Sequence, residues 1–372
     1  MPLLVRIGLP RELKDGEFRV ALAPGAASEL ARARHEVRVE RGAGAGAGFS
    51  DREYAAVGAR LVGAAEAWDC ELVVKVKELQ EAEYGLPRRG QMLFCFQHFG
   101  PEPRLLDAAL ACGATFLAFE TVGQADASLP ILAPMSAIAG RLAVQVGAWC
   151  LQKHSGGSGV LLAGLEGVRP GQIVILGAGN VGANALAVAH GIGARTTVFA
   201  GSARRFAALR AQFRERVEFR ASAGGLEHAV AEADLVIGAV LTPGRMSPKL
   251  ITRPMLRSMR AGSALVDVGI DQGGIAETSR ATSHSEPTYV EEGVVHYCVP
   301  NMPAACARTA SLALDRAVLP FVAELAGRGL GGALRARPEL ETAVQVHAGH
   351  VTHEHLARDT RRACARLETV LS

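Results

Sequence analysis

Aromatic residues are scarce in this chain, 5% of 372, and no apolar run is both long and uninterrupted. The longest, over 131–151, is broken by Arg141 and reads as a buried helix rather than a membrane span. An excess of charge is also missing: 40 Lys and Arg against 37 Asp and Glu leave a net charge of +3, scattered without a basic stripe. That argues against nucleic acid and anionic membrane as partners and favours a small molecule. The 7 cysteines are odd in number, show no CxxC spacing and mostly lie in apolar runs, as reduced cytoplasmic thiols do. The opening Met1-Pro-Leu-Leu-Val-Arg-Ile-Gly is too short and interrupted for a signal peptide, which also points to the cytoplasm.

What the chain does have is length, a 49% hydrophobic share and 42 glycines. These predict a compact protein of two domains. Short β-rich runs alternate with alanine-rich stretches: strands over 5–9, 36–40 and 71–77, with helices near 24–34 and 51–62. A second series of strands starts at Gln172 and continues at Thr197, Asp234 and Ala264, after a helical segment over 136–153. Helix-length spacers between apolar runs imply βαβ units and parallel sheets. A helix over 308–328 and a short charged helix then close the chain. If this tail returns to the first domain, that domain is discontinuous and a ligand cleft separates the two. The expected division is 1–137 with 308–372 as substrate domain and 138–307 as dinucleotide domain.

Two glycine-rich stretches compete for a phosphate. Gly42 to Gly48 follows a good strand, but from Gly42 the sixth position is Ala47 and from Gly44 it is Phe49, so GxGxxG fails. It is expected to be a flexible strand-to-helix loop. Gly177-Ala178-Gly179-Asn180-Val181-Gly182 has the spacing, after the strand Ile173-Val-Ile-Leu and before an alanine-rich helix. The first glycine permits the tight turn, the second lets backbone approach a pyrophosphate, and the third lets helix pack on strand. This is a Rossmann fingerprint, and the fold expected is α/β with two Rossmann-like domains. An acidic residue normally ends the next strand and binds the ribose hydroxyls. Here that position reads Phe199-Ala200-Gly201-Ser202-Ala203-Arg204-Arg205, with no carboxylate. Ser202, Arg204 and Arg205 are instead suited to a 2′-phosphate, so NADP(H) is favoured over NAD(H).

Further segments are Gly16-Glu-Phe-Arg-Val, Val74-Lys-Val-Lys-Glu, Leu93-Phe-Cys-Phe-Gln-His, Phe119-Glu-Thr-Val, Leu132-Ala-Pro-Met-Ser, Ala139-Gly-Arg-Leu-Ala, Ile237-Gly-Ala-Val-Leu, Val266-Asp-Val-Gly-Ile-Asp-Gln-Gly-Gly and His296-Tyr-Cys-Val-Pro-Asn-Met-Pro. In this order they make the chain resemble the alanine dehydrogenase family, which is related to the first subunit of proton-translocating transhydrogenase. The resemblance implies reversible oxidative deamination of L-alanine, or a related small L-amino acid, to the 2-oxo acid and ammonia. It implies that Arg19 binds the substrate carboxylate, that Lys77 polarises the carbonyl, and that His98 is the general acid/base, a role for which imidazole is suited near neutrality. Lys75, on the same strand face as Lys77, is expected to be structural. Asp271 matches the family aspartate at the reacting centre, Asn301 and Met302 flank the nicotinamide, and Ser136 contacts the pyrophosphate. Ala200, Ser222, Val240, Leu241, Ile270 and Val299 complete the expected cofactor lining, Asp267 is structural, and a homo-oligomer, a hexamer, is implied.

The chain departs from the family's usual pattern at Gln97-His98-Phe99-Gly100, Met135-Ser136-Ala137 and Pro300-Asn301-Met302-Pro303. With the missing ribose acid, these keep open an NADP-dependent imine reductase of the carboxyethylornithine synthase type. A non-catalytic, transhydrogenase-like nucleotide-binding protein is the second alternative. His347, His350, His353 and His355 fall within nine positions, but the family carries a related tail without a required metal, and none is expected.

Overall fold

Runs of valine, isoleucine and leucine form the strands of the computed structural model, which describes residues 4–124, 128–213, 215–221, 223–240 and 246–371. In chain order they are β1 (Arg6–Leu9), β2 (Glu36–Glu40), β3 (Arg60–Val62), β4 (Leu72–Val74), β5 (Met92–Cys95), β6 (Thr115–Ala118), β7 (Gln172–Leu176), β8 (Arg195–Phe199), β9 (Val217–Arg220), β10 (Leu235–Gly238), β11 (Ala264–Asp267), β12 (Thr288–Glu291), β13 (Val294–Tyr297), β14 (Val344–His347) and β15 (His350–Val351). Every residue of β4, β5, β6, β10, β11 and β13 is buried. Strands apolar on both faces need cover on both faces, which the crossover helices supply.

Among the described residues the strands make two sheets, ordered β15-β14-β6-β5-β4-β1-β2-β3 and β12-β13-β11-β10-β7-β8-β9. Pairing is parallel except for β14 on β6, β15 on β14 and β12 on β13. Within each sheet the order reverses beside the first strand, between β1 and β4 and between β7 and β10. In such sheets ligands bind outside the carboxyl ends of the strands at that switch point. The chain divides into two compact units, 1–135 with 304–372 and 136–303.

The long helix Ala307–Ala336 lies in the core of the first unit. Its buried Ser311 and Asp315 accept the backbone N–H groups of Val20, at 3.0 Å, and Ala23, at 2.7 Å. The stretch Met302–Ala336 is also long and apolar enough to cross a membrane, but buried acceptors for loop N–H groups are the features of a core helix. Burial pushes the Asp315 carboxyl up to about 6.

Three expectations change. The helix near 51–62 stops at Ala56, and 60–62 becomes the edge strand β3. Gly58, at φ +93°, makes the turn between them. The tail is not helical throughout: β14 and β15 form a hairpin through Ala348 and Gly349, both with positive φ, as a two-residue primed turn requires. Finally, 42–48 is a packed turn rather than a loose loop. A Cβ on Gly44 would lie 2.6 Å from the Tyr54 ring and one on Gly46 2.9 Å from the Phe18 carbonyl oxygen.

Candidate active site

The segments leaving β1, β4, β5 and β6 at their carboxyl ends carry the charged groups of the first unit. Arg19 is 2% exposed, and its Nε and Nη2 donate to the two oxygens of Glu17 at 2.7 and 2.5 Å. The bidentate geometry expected toward a substrate carboxylate is thus made, on one edge, within the protein. That pairing fixes the plane of the guanidinium and offsets part of its charge.

Strand β4 ends at Val74, yet its pairing with β5 runs on through Lys75 N–H to Phe94 O and Phe96 N–H to Val76 O. Lys75 is therefore held by the sheet, and Lys77 directly follows its last bond. Lys75 is spent on an ion pair with Glu83, with Glu12 3.9 Å away. Lys77 has a looser partner, Glu78 at 4.0 Å, and its ammonium lies 5.9 Å from the Phe96 ring centroid. Burial, aided by the like charges of Lys14 and Arg19, holds its pKa below the usual lysine value. Phe96 stacks at 6.0 Å on the His98 ring. Arg19, Lys77 and His98 thus lie in one region of one unit.

Three carboxylates hold this region. Glu12 accepts the N–H groups of Val76, at 2.6 Å, and Lys77, at 3.3 Å. Glu120 accepts those of Gln97 and His98, at 3.1 and 3.0 Å, and Glu78 meets His98 Nδ1 at 2.8 Å. These N–H groups meet carboxylates where a neighbouring strand would offer a carbonyl, so the carboxylates supply the partners that the sheet does not. His98 itself has φ +45°, a left-handed backbone that costs a non-glycine residue energy and persists only where neighbours enforce it. Burial opposes ionisation of Glu78, but the His98 hydrogen bond and the Lys77 charge outweigh it and hold its carboxyl far below the usual range. Sequence reasoning missed all three. Glu78 and Glu120 sit inside segments quoted above, so their types were visible and their partners were not.

In the second unit, β7 runs into Gly177, at φ +116°, where a Cβ would lie 2.3 Å from the Ala239 carbonyl oxygen at the end of β10. A Cβ on Gly182 would lie 1.9 Å from the Gly177 carbonyl oxygen, while one on Gly179 would meet nothing within 4 Å. The helix Asn180–Gly191 starts there with no side-chain cap. An uncapped helix N-terminus beside open space at Gly179 fits a pyrophosphate, so the residues present fit a dinucleotide. The helix Leu132–Cys150 comes close as well: a Cβ on Gly140 would lie 2.1 Å from the Val181 carbonyl oxygen. Ser136 is one turn earlier on that face.

Asp271 is exposed in a single turn, Ile270–Gln272, after β11. Asp267, 1% exposed, builds the loop that presents it by accepting Gly269 N–H, Ile275 N–H and Ser279 Oγ–H at 3.2, 2.7 and 2.6 Å. Asn301 has φ +57°, and Val299, Met302 and Ile270 are buried beside the ends of these strands.

Both halves of the chain match one family. Its description "Alanine dehydrogenase/PNT, N-terminal domain" covers residues 8–139 and "Alanine dehydrogenase/PNT, C-terminal domain" covers 143–354. The chain belongs to the alanine dehydrogenase/PNT family. It is 48% identical to the alanine dehydrogenase of Halomonas elongata over 356 residues, 95% of this chain and 96% of that one. An L-alanine dehydrogenase structure aligns with TM-score 0.93 and 46% identity, over 96% and 99% of the two chains. The transhydrogenase of Sinorhizobium meliloti aligns with TM-score 0.80 and 25% identity, over 94% and 99%. Membership brings the two-domain α/β fold and a nicotinamide cofactor.

Of the remaining residues expected to line the cofactor in this family member, Ala200 follows β8 and donates its N–H to Arg220 O at 3.1 Å. Ser202 and Arg204 are exposed, and Ser202 Oγ accepts Arg204 N–H at 3.3 Å. Ser222, Leu241 and the side chain of Arg205 lie outside the described residues. In the tail, His347 bonds Thr115 Oγ1 at 2.8 Å and His353 Nδ1 caps the helix Glu354–Thr360. The glycine contacts carry a first expected result: Gly182→Ala forces helix from strand, lowers stability by about 1–3 kcal/mol and removes the rise in Tm on adding a nicotinamide nucleotide. Thermal melts with and without nucleotide check both effects.

Proposed function

We propose that this protein is an NADP(H)-dependent amino acid dehydrogenase that interconverts L-alanine, or a related small L-amino acid, with its 2-oxo acid and ammonia. The observation that carries the reading is the gathering of Arg19, Lys77 and His98 at the carboxyl ends of β1, β4 and β5 in a chain of this family. The nicotinamide, when bound, takes or gives the hydride. Arg19 and Lys77 bind the substrate carboxylate and polarise the carbonyl, while His98 moves protons at the amino and carbinolamine groups. From the family resemblance, Asp271 is assigned to the reacting centre and Asn301 and Met302 to the nicotinamide. All seven cysteines are unpaired, which suits a reducing cytoplasm, and the homo-oligomer rests on the family resemblance alone. The imine-reductase and non-catalytic alternatives are less favoured, since relatives 44–48% identical over 95% of this chain carry the alanine dehydrogenase name.

The finer choice of NADP(H) rests on Ala200, Ser202 and Arg204. A phosphate bound by an arginine and a hydroxyl gains about 1.5–3 kcal/mol, so kcat/KM with NADPH should exceed that with NADH by about 10–100-fold. Initial rates of the reductive amination of pyruvate by ammonia with each nucleotide test this, and an NADH advantage overturns it.

A further inference from the structure

Glu78 is 6% exposed, and its carboxylate holds three cationic or titratable side chains from separate segments. Oε1 pairs with Lys14, after β1; Oε2 lies 2.8 Å from His98 Nδ1, after β5, and 4.0 Å from Lys77 Nζ. With Lys14 on Oε1 and the ring on Oε2, both oxygens of the carboxylate are engaged. Being ionised, it is an acceptor only. The imidazole can satisfy it in one way, with the proton on Nδ1, which leaves Nε2 to face substrate.

We infer that Glu78 is the positioning residue of the acid/base: it fixes the orientation and tautomer of His98, so that Nε2 takes the proton in oxidation and returns it in reduction. The inference rests on the reading of His98 as acid/base. A carboxylate behind a working histidine nitrogen prevents the wrong tautomer from forming. The ring needs such a partner because its side chain is 42% exposed and, among the described residues, it stacks on Phe96 alone, so packing does not lock it. Glu120 secures the backbone of the same residue, which leaves the ring torsions to Glu78.

Glu78→Gln and Glu78→Asp separate this role from mere structure. The amide of Gln either accepts from Nδ1 or donates to it, so both tautomers form. Asp keeps the charge at a shorter reach. In the full-length enzyme, Glu78→Gln is expected to lower kcat for alanine oxidation by about 10–100-fold, with KM for the nucleotide unchanged and a larger solvent deuterium isotope effect on kcat. Glu78→Asp should recover most of the loss. Retention of kcat within about twofold by Glu78→Gln overturns the inference, as does equal loss in Gln and Asp with the isotope effect unmoved. His98→Ala, assayed in parallel, distinguishes the two levels: its collapse beside an active Glu78→Gln removes the positioning role alone, whereas near-normal turnover of His98→Ala removes the acid/base reading and this inference with it.

Discussion

Replacement of His98 by alanine is expected to cut kcat by about 10²–10⁴-fold in both directions, the span that a positioned proton-transfer group contributes. The effect should be chemical rather than structural. The side chain is 42% exposed, so truncation opens no buried cavity, and Gln97 and His98 keep their backbone bonds to Glu120. The structural costs are the left-handed backbone, φ +45°, which alanine tolerates poorly, at about 1 kcal/mol, and the lost 2.8 Å bond to Glu78, whose carboxylate keeps Lys14 and Lys77 as partners. Asparagine accepts that backbone more readily and still hydrogen-bonds, but moves no proton. His98→Asn should therefore melt closer to the wild type than His98→Ala while turning over as slowly. Steady-state rates of alanine oxidation and thermal melts of both variants check this, and a His98→Asn enzyme with near-normal turnover would refute the assignment. Nucleotide affinity should be unchanged, because the glycine loop is built from residues of the other unit.

What could be seen in the sequence follows from how local each signal is. The glycine fingerprint depends on six consecutive residues between a strand and a helix, and its steric reasons lie within that stretch or one strand away. Gly182 faces the Gly177 carbonyl five residues back. The alternation of apolar runs with helical spacers marked the parallel core for the same reason. The edges were harder. β3 is three residues long and begins with an exposed Arg60, so nothing in its own pattern separates it from the end of a helix. The β14–β15 hairpin turns on Ala348 adopting positive φ, which an alanine does not advertise, even between the alternating Val344-Gln-Val-His and His350-Val351.

Least visible was the support around His98. Glu120 lies 22 residues away and Glu78 lies 20, and only the pairing of β4, β5 and β6 brings them together. Arg19 shows the converse case. Its position was readable as a cation near substrate, but the prior engagement of one edge by Glu17, two residues earlier, is a rotamer fact. Pattern reasoning therefore located charges at strand ends and left their partners unassigned.

Ala200→Asp should reverse the nucleotide preference. Ala200 directly follows β8, where an acid would meet the adenosine ribose, and its N–H is already tied to Arg220 O at 3.1 Å, so the backbone is in place to carry one. Arg220 does not neutralise the new charge, since its guanidinium is paired with Glu218 at 2.7 Å. An aspartate there gains about 1.5–2 kcal/mol from charge-assisted bonds to the ribose hydroxyls and repels a 2′-phosphate by a similar amount near the surface. Together these come to about 3–4 kcal/mol, a swing of about 10²–10³-fold in the ratio of kcat/KM with NADH to that with NADPH. Arg204→Ala provides the contrast: it should weaken NADPH alone and leave NADH untouched, because the guanidinium is assigned to the phosphate and not to the ribose. Both variants are read from initial rates with the two nucleotides at saturating pyruvate and ammonia. If Ala200→Asp loses activity with NADPH but gains none with NADH, the position does not face the ribose. If neither substitution moves the ratio, Ala200, Ser202 and Arg204 lie outside the nucleotide site, and the proposed NADP(H) preference falls with them.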